Sequence, residues 1–383
     1  MFDLGRTLLQ SLERCPGRVA VVDGDQRFTY AAWAGLVGAV QQGLSDAGLK
    51  HGDHLLVLLQ NRWQMAALHW ACQFAGIVVT PLNWRAKGDE IDHGLADSGA
   101  MAVVYEAVVA DALAASTLAA GVLRISVGGV APDHSATLRF EDWTSHTAEP
   151  VPHASAEDWS LMLYTSGTTG KPKGVPRRHR AERAAALAHV AQNRYGDGEC
   201  TLGVMPLYHT MGVRSLLALA LVDGRLVCMP RFDARQALAS IQAEAVTHLY
   251  LVPTLYHDLL SHPTFTATDT ASVTKLGFAG APMHDALLHR LQAAFKPDLF
   301  VNHYGSSEVY TCAINQDAVG KPGSAGRAGI NTRLRVIKLD GGYHDAIAAS
   351  GEEGQILAEL AGDEAFEGYH NRPDANASSL RDG

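Results

Sequence analysis

The chain has 383 residues, of which 47% are hydrophobic and 19% charged, and its formal net charge at pH 7 is −9. This length exceeds the usual size of one hydrophobic core, so we expect an ordinary globular protein with two or more lobes. A net negative chain has no overall positive field to attract nucleic acid or an anionic membrane surface. We therefore expect neither as a partner.

Cysteine usage and apolar segments indicate the compartment. The five cysteines form no Cys-x-x-Cys pair, which disfavours a disulfide framework or a zinc site and favours a reducing cytoplasm. The first residues, "MFDLGRTLLQSLERCPG", mix charges with apolar residues and predict an amphipathic helix instead of a signal peptide. The longest apolar stretch, 65–83, contains His69 and Gln73 and predicts a buried helix followed by a buried strand.

Helical and β-rich patterns alternate along most of the chain. The first half predicts helices at 31–49 and 62–76 and strands at 53–61 and 77–83, followed by a loop at 128–158. The second half predicts strands at 224–229, 246–252, 273–280 and 298–305, with helices at 233–245, 254–262 and 283–295 between them. Such alternation is typical of βαβ units in a parallel sheet.

After residue 312 the pattern changes, because a Gly-rich stretch is followed by the antiparallel alternation of "TRLRVIKLDGGY". We predict an α/β fold with two parallel sheets flanked by helices plus a smaller β-barrel-like lobe. The expected divisions are a first α/β lobe at 1–160, a second at 161–311 and a β-lobe at 312–383.

One loop has the composition of a phosphate site. The segment "LMLYTSGTTGKPKGVPRRHR" (161–180) places glycines, hydroxyls and lysines directly after an apolar strand. It is not a P-loop, since that motif requires G-x-x-x-x-G-K-[ST] and here Gly167 and Gly170 are three apart. Small residues permit close backbone approach to a polyphosphate, and hydroxyls and lysines supply hydrogen bonds and charge. A flexible surface loop is the alternative.

The same region holds the one basic cluster of the chain, which lacks interleaved aromatic residues: Lys171, Lys173, Arg177, Arg178, Arg180 and Arg183. A local phosphate site explains this cluster better than a nucleic-acid surface does. Three segments, 165–174, 279–283 and 304–308, follow predicted strands, and ligands of open α/β sheets bind at the carboxyl ends of strands. We therefore expect these three segments to converge.

Four motifs occur in order: the opening loop, "MPLYH" (205–209), "FAGAPM" (278–283) and "YGSSE" (304–308). Together they resemble the AMP-forming acyl-adenylate superfamily of acyl-CoA ligases, luciferases and peptide-synthetase adenylation domains. "FTYAAW", "GLKHGDHLLVLLQN", "GIVVTPLNWR" and "EGYHNRPDANA" also match family positions, so the resemblance covers essentially the whole chain. "MPLYHTMGV" and "FAGAPMHDALL" are most similar to the benzoate and halobenzoate CoA-ligase branch.

The resemblance implies a reaction in which a carboxylate attacks the α-phosphate of ATP, releasing pyrophosphate and forming an acyl-AMP that reacts with coenzyme A. It implies that Thr165, Lys173, His209 and Glu308 are catalytic and that Glu308 binds Mg²⁺, a hard cation that prefers oxygen ligands. Tyr304 is expected to stack on adenine and Asn302 to bind its amine. The implied nucleotide site comprises Thr165, Ser166, Gly167, Thr168, Thr169, Gly170, Lys173, Gly280, Ala281, Pro282, Asn302, His303, Tyr304, Gly305, Ser306, Ser307 and Glu308.

The acid is expected to lie beyond His209, which either orients its carboxylate or gates its tunnel; an ordinary buried histidine is the alternative. We expect Gly305 to open space in this pocket and no lysine or arginine to line it, which favours benzoate-sized or short branched or hydroxy acids. The implied acid-binding residues are His209, Thr210, Met211, Val213, Tyr250, Ala279, His303, Gly305, Val309, Tyr310 and Thr311.

Family members continue beyond "SSLRDG" into W-x-x-T-G-D, a hinge and a small domain carrying a catalytic lysine. We therefore expect residues 1–383 to form the large N-terminal adenylation domain, with the C-terminal domain absent. ATP, Mg²⁺ and coenzyme A are the implied cofactors, a small carboxylic acid is the implied partner, and the sequence leaves a homodimer open. Two alternatives remain: activation of an amino or aryl acid for a carrier protein, which Thr210 and Met211 disfavour, and a non-catalytic nucleotide-binding relative.

Overall fold

The computed structural model describes residues 2–129, 138–165, 172–339 and 346–381. Within these ranges the strands are β1 (Val19–Asp23), β2 (Gln26–Thr29), β3 (His54–Leu58), β4 (Val78–Pro81), β5 (Ala102–Glu106), β6 (Leu123–Val127), β7 (Leu138–Arg139), β8 (Trp159–Thr165), β9 (Lys173–Arg178), β10 (Cys200–Gly203), β11 (Arg225–Cys228), β12 (His248–Leu251), β13 (Lys275–Phe278), β14 (Leu299–Tyr304), β15 (Ala313–Asn315), β16 (Arg327–Ala328), β17 (Leu334–Lys338) and β18 (Gly354–Ala358).

The helices of the described residues alternate with these strands. They are α1 (Leu4–Arg14), α2 (Tyr30–Asp46), α3 (Trp63–Ala75), α4 (Gly88–Ser98), α5 (Ala110–Ala114), α6 (Phe140–Trp143), α7 (His179–Asn193), α8 (Thr210–Leu221), α9 (Ala234–Glu244), α10 (Pro253–Ser261), α11 (Asp285–Phe295) and α12 (Pro373–Ser379). None of the described helices combines the length and the apolar character that a membrane crossing needs.

Two mostly parallel sheets organise the chain, as the sequence predicts. A seven-stranded sheet has the order β7-β6-β5-β3-β4-β8-β9, and a nine-stranded sheet has the order β16-β15-β14-β13-β12-β10-β11-β1-β2. Antiparallel pairs occur at the edges, where β9 joins β8, β2 joins β1, and β15 and β16 follow β14. The predicted fold class, parallel sheets flanked by helices, is confirmed.

Strand pairing crosses the predicted lobe boundaries, so neither sheet is confined to one predicted lobe, and the lobe divisions stay a prediction. Strands β1 and β2 lie in the first predicted lobe but complete the nine-stranded sheet beside β11. Strand β9 belongs to the second predicted lobe but pairs with β8 in the seven-stranded sheet, and β15 and β16 extend the nine-stranded sheet beyond residue 311. Periodicity locates strands, but the partner of a strand depends on hydrogen bonds between segments distant in sequence.

One apolar core joins the two sheets. Its largest cluster combines Trp33 of α2 and Trp70 of α3 with Leu161 of the seven-stranded sheet and Leu226 of the nine-stranded sheet. Because this core is shared, the strand ends of both sheets are held in fixed relative positions.

The part of residues 312–383 that the structure describes contains one further antiparallel pair, β17–β18, extended by a bridge between Ile337 and Ile347. A barrel-like lobe there stays a prediction.

Candidate active site

The predicted phosphate loop connects two paired strands. β8 ends at Thr165, and β9 begins at Lys173, which is the register partner of Thr165. Directly opposed residues of an antiparallel pair project to the same face, so the hydroxyl and the ammonium lie side by side at the base of the loop. Five predicted loop residues fall outside the described residues, and their contacts stay predictions: Ser166, Gly167, Thr168, Thr169 and Gly170.

Tyr369 connects the predicted phosphate-binding and metal-binding side chains. Its hydroxyl donates a hydrogen bond to Oε1 of Glu308 at 2.8 Å, and Nζ of Lys173 lies 4.0 Å from its ring centroid. A cation over an aromatic ring gains about 0.5–2 kcal/mol, and a hydrogen bond to a carboxylate is among the stronger kinds. Burial, together with the Glu308 carboxylate, raises the pKa of Tyr369, which keeps its hydroxyl protonated as a donor.

The segment that carries Tyr369, residues 366–376, is fixed at several points, and we call it the Tyr369 strap. The Asn376 side chain accepts from the Tyr369 backbone N–H at 2.7 Å and donates to the Tyr369 carbonyl at 3.1 Å. The next residue, His370, donates its backbone N–H to the Gly174 carbonyl at 2.9 Å, and Phe366 donates its own to the Glu308 carbonyl at 3.1 Å. The strap therefore joins β9 to the segment that carries Glu308.

The predicted adenine wall is assembled at two neighbouring strand ends. Phe278 and Asn302 are register partners on β13 and β14, so the segments that follow them emerge together. Nδ2 of Asn302 donates to the Ser324 carbonyl at 3.0 Å, which leaves Oδ1 as an acceptor for an amine. Tyr304 is 47% exposed, as a stacking platform requires.

The other side of this wall begins at a turn that requires glycine. Gly280 has φ +82°, a conformation that side chains disfavour, and Gly280, Ala281 and Pro282 are all exposed. A Cβ added at Gly280 would lie 4.0 Å from Sδ of Met211, so this turn adjoins the start of α8.

Gly305 has a different role from the one expected. A Cβ at this position would lie 2.0 Å from the Tyr310 carbonyl oxygen and 2.9 Å from that of Val309. Gly305 is thus needed for close backbone approach, where Ser306 also donates its backbone N–H to the Val309 carbonyl. The contacts around Gly305 indicate packing against residues 309–310 instead of space opened for the acid.

His209 lies at the N-terminus of α8 and caps it. Its Nδ1 accepts a hydrogen bond from the Met211 backbone N–H at 3.3 Å, which in a neutral imidazole leaves the proton on Nε2. The side chain reaches solvent, yet the surrounding protein desolvates it and lowers its pKa. The next residue, Thr210, is buried, and its Oγ1 has no hydrogen-bond partner among the described residues.

The remaining acid-binding candidates lie in three different parts of the fold. Tyr250, Ala279 and His303 lie at the ends of β12, β13 and β14, at the same edge of the sheet as Gly280 and Tyr304. Val213 has no exposed surface and belongs to the core shared by the two sheets. Two other candidates, Val309 and Thr311, are buried in the segment that follows Glu308.

Two buried arginines pack against the ring of Tyr310. The guanidinium carbons of Arg177 and Arg214 lie 4.3 and 4.4 Å from the centroid of its ring. Both arginines pair with Glu182, which has no exposed surface. Although burial acts to raise the pKa of Glu182, the two arginines lower it below its usual value. Tyr310 is thus enclosed in a buried ionic cluster.

Three arginines of the basic cluster after the loop, Arg177, Arg178 and Arg180, pair with carboxylates, and Lys171 lies outside the described residues. Arg177 is buried against Glu182 and donates to the Glu308 carbonyl at 3.0 Å. Arg178 and Arg180 both pair with Glu367 of the Tyr369 strap. Lys173 is linked to the Glu308 carboxylate through Tyr369, whose ring it contacts.

A cavity of about 850 Å³ borders this constellation. Ser306, Glu308 and Tyr369 lie on one side of it, and residues of the β17–β18 hairpin lie on the other. Glu308 is thus held by Tyr369 through one oxygen while its side chain also borders open volume.

A family model described as "AMP-binding enzyme" matches residues 8–370 of the chain. The chain belongs to this family. It is 30% identical to a feruloyl-CoA synthase from an Amycolatopsis species, over 99% of this chain and 74% of that protein. It is 29% identical to a 4-chlorobenzoate–CoA ligase from an Arthrobacter species, over 97% of this chain and 70% of that protein.

Among solved structures, the N-terminal domain of FACL13 from Mycobacterium tuberculosis matches with a TM-score of 0.86 at 26% identity, covering 100% of this chain and 95% of that one. These comparisons confirm the predicted membership of the acyl-adenylate superfamily and the prediction that the chain is an enzyme of the acyl-CoA ligase type.

Some site residues of this AMP-binding enzyme were not predicted from the sequence. Tyr369 and Asn376 lie in "EGYHNRPDANA", which was noted as a family segment but given no role. His189 and Asn193, which contact His303 as described below, lie on one face of α7 four residues apart. That spacing is a helical signal, but it does not reveal which strand the face meets.

Proposed function

We propose that this AMP-binding enzyme activates a small carboxylic acid, aromatic or short and hydroxylated or branched, with ATP to an acyl-AMP and transfers the acyl group to coenzyme A. The observation that carries the proposal is the contact of Lys173 and Glu308 with opposite parts of Tyr369, at the strand ends where the adenine wall also begins. The acyl-CoA ligases among its relatives support the same reaction class.

The chemistry asks the protein to position anions and to stabilise developing charge. A carboxylate oxygen bonds to the α-phosphorus while the bond to pyrophosphate breaks; the sulfur of coenzyme A then bonds to the acyl carbon, losing its proton, as AMP leaves. We assign Thr165, Ser307 and Lys173 to the phosphates. Tyr304, Asn302 and the Gly280 turn hold the adenine.

His209 is assigned to the acid. Because Nδ1 accepts from the Met211 backbone N–H, the neutral ring presents Nε2–H to solvent as a donor. The lowered pKa keeps the ring neutral near pH 7, so it orients a carboxylate through a hydrogen bond without neutralising the attacking oxygen.

Glu308 fits the role of a Mg²⁺ ligand. Among residues 2–129, 138–165, 172–339 and 346–381, no group of three or more His, Cys, Asp or Glu side chains could hold a metal alone. Mg²⁺ in nucleotide sites is bound by one or two carboxylates together with phosphates and water. Glu308 supplies one carboxylate, which Tyr369 links to Lys173. When bound, the ion would neutralise phosphate charge.

We also propose the cytoplasm as the location, which the five free cysteines support. A homodimer remains a proposal to be tested by measuring the mass in solution.

The function is tested by acid-dependent pyrophosphate release from ATP over a panel of benzoates and short acids, with coenzyme A or a phosphopantetheinyl carrier protein as acceptor. We expect release with at least one acid and acyl transfer to coenzyme A. Transfer to the carrier protein alone would replace the proposal with carrier loading. Tight ATP binding with no release for any acid would indicate a non-catalytic relative.

Tyr369→Phe should raise the Mg²⁺ concentration needed for half-maximal pyrophosphate release by about 10-fold, roughly 1.4 kcal/mol. The substitution keeps the ring under Lys173 but removes the hydroxyl that holds Oε1 of Glu308. The measurement is a Mg²⁺ titration at saturating ATP and acid.

Tyr164→Phe is the matched control for this prediction. The hydroxyl of Tyr164 donates to Asp97 at 2.7 Å, so the variant removes the same group from another tyrosine–carboxylate pair. An unchanged Mg²⁺ requirement in Tyr369→Phe, or an equal change in both variants, would show that Tyr369 does not position Glu308.

A further inference from the structure

A compact polar cluster lies at the ends of β12 and β14, one residue before Tyr304. The His303 ring centroid is 5.2 Å from that of His189 and 5.0 Å from that of Tyr250. The rings of Tyr250 and His303 meet across β13 at Gly277, where an added Cβ would lie 3.1 Å from the Tyr250 ring. His189 and His303 are 2% and 4% exposed, so both imidazoles are buried.

Asn193 determines which nitrogen of each imidazole carries the proton. Its Nδ2 donates to the His189 carbonyl at 2.8 Å, which fixes the orientation of the amide. Nδ2 also lies 3.2 Å from Nδ1 of His189, and Oδ1 lies 3.0 Å from Nε2 of His303. Because Nδ2 donates and Oδ1 accepts, Nδ1 of His189 is an acceptor and Nε2 of His303 is a donor.

Both rings are neutral at physiological pH. Burial lowers the pKa of His303 to about 3 and that of His189 well below its usual value. A neutral imidazole has one donor and one acceptor, so the proton of His189 is on Nε2 and the lone pair of His303 is on Nδ1.

These two remaining positions are the ones that have no hydrogen-bond partner among the described residues. A buried polar group without a partner costs about 1–3 kcal/mol, and native proteins rarely leave two side by side. The cluster thus presents one N–H donor and one acceptor on rings 5.2 Å apart, with Tyr250 as an apolar wall.

We propose that His189 and His303 bind a hydroxyl group on the distal end of the acid, which accepts from Nε2 of His189 and donates to Nδ1 of His303. The inference rests on the proposed function, since it places the acid between His209 and this cluster. It selects hydroxylated acids from the wider class of small acids and assigns specificity to two residues, of which His189 was not predicted from the sequence.

The donor of His189 and the acceptor of His303 disfavour substituents other than a hydroxyl at the distal end of the acid. A second carboxylate has no donor for its second oxygen here and would be buried without a countercharge on the pair. A methoxy group accepts from His189 but leaves His303 without a donor, and a hydrogen or methyl group satisfies neither. Sites built to bind a hydroxyl reject analogues that lack it much more strongly than apolar sites reject a missing methylene.

The test compares acyl-sulfamoyl adenosines that differ only in the acyl ring, namely benzoyl, 3-hydroxybenzoyl, 4-hydroxybenzoyl and 4-methoxybenzoyl. Their dissociation constants are measured with the whole chain by isothermal titration. We expect one hydroxybenzoyl compound to bind at least about 10-fold more tightly than both the benzoyl and the methoxybenzoyl compounds.

Two substitutions of one residue provide the matched comparison. His189→Gln places an amide N–H near the former Nε2 and should keep most of the preference, whereas His189→Leu should reduce it to about 2-fold or less. The benzoyl compound should bind both variants about equally, which also reports that each has folded.

Equal affinity of wild-type protein for hydroxylated and unsubstituted compounds would overturn the inference, as expected if a bound water satisfies both nitrogens. A preference that His189→Leu leaves unchanged would overturn it as well. If no acyl compound binds more tightly than sulfamoyl adenosine itself, the proposed acid site fails, which is a different outcome.

Discussion

Replacing Glu308 with Gln should lower the rate of acid-dependent pyrophosphate release by about 100-fold or more, roughly 2.7 kcal/mol of barrier, while acid affinity changes little. The amide keeps the size of the side chain and can still accept from Tyr369, but it loses the charge that a cation on the phosphates requires. Rates are measured at limiting and at saturating Mg²⁺, with acid affinity determined separately, so that loss of chemistry is distinguished from loss of binding.

Glu367→Gln is the matched control, because Glu367 lies on the Tyr369 strap and pairs with Arg178 and Arg180 without contacting Glu308. Because surface ion pairs contribute little, we expect Glu367→Gln to change the rate of pyrophosphate release by less than about 3-fold. Normal pyrophosphate release by the Glu308→Gln protein at limiting Mg²⁺ would contradict the metal assignment, and equal losses in both variants would indicate a disturbed strap.

Sequence periodicity located the strands and helices of the second half well. The strand predicted at 298–305 is β14, Leu299–Tyr304, and the helix predicted at 283–295 is α11, Asp285–Phe295. The sheets cross the predicted lobe boundaries, because β1 pairs with β11, a strand about two hundred residues away in the chain. Register between such distant segments depends on packing of the whole core, which a local pattern does not contain.

The sequence predicted the positions of the candidate site residues that lie at the ends of strands. Thr165, Asn302 and Tyr304 end or nearly end their strands. Tyr369 connects the start of β9 with the segment after β14, because it contacts both Lys173 and Glu308. The motifs did not reveal the side-chain partners of other candidates. Tyr310 follows a site motif, but two arginines buried on Glu182 enclose its ring. Arg178 follows the phosphate loop, but its charge is bound by Glu367.

Buried histidines connect the stability of the fold to pH. Nδ1 of His179 accepts a hydrogen bond from the Leu4 backbone N–H at 3.2 Å, and neither nitrogen of His69 has a partner among the described residues. Burial lowers the pKa of His69 and of His179 to about 4 and that of His303 to about 3. Each ring is thus neutral when folded, whereas an unfolded histidine titrates near pH 6.5.

Lowering the pH from 7.5 to 5.5 should therefore reduce the free energy of unfolding by at least about 4 kcal/mol, roughly 1.4 kcal/mol for each of these three histidines. Burial lowers the pKa of His189 in the same direction and adds to this loss. The sign follows from proton binding: between the folded and unfolded pKa values the unfolded chain binds more protons, so stability falls as the pH falls below about 6.5. Most carboxylates remain ionised at pH 5.5 and do not produce this loss. A loss of this size is a large part of a typical stability of about 5–15 kcal/mol.

The measurement is urea unfolding followed by circular dichroism at several pH values between 5.5 and 7.5. His69→Phe should remove about 1.4 kcal/mol of the pH dependence, because the phenyl ring needs no hydrogen bond and binds no proton in either state. His284→Gln, at an exposed histidine, should leave the dependence nearly unchanged. A free energy of unfolding that stays constant across this range would mean that the three rings gain protons in the folded state, and the partners inferred for His303 and His179 would then be wrong.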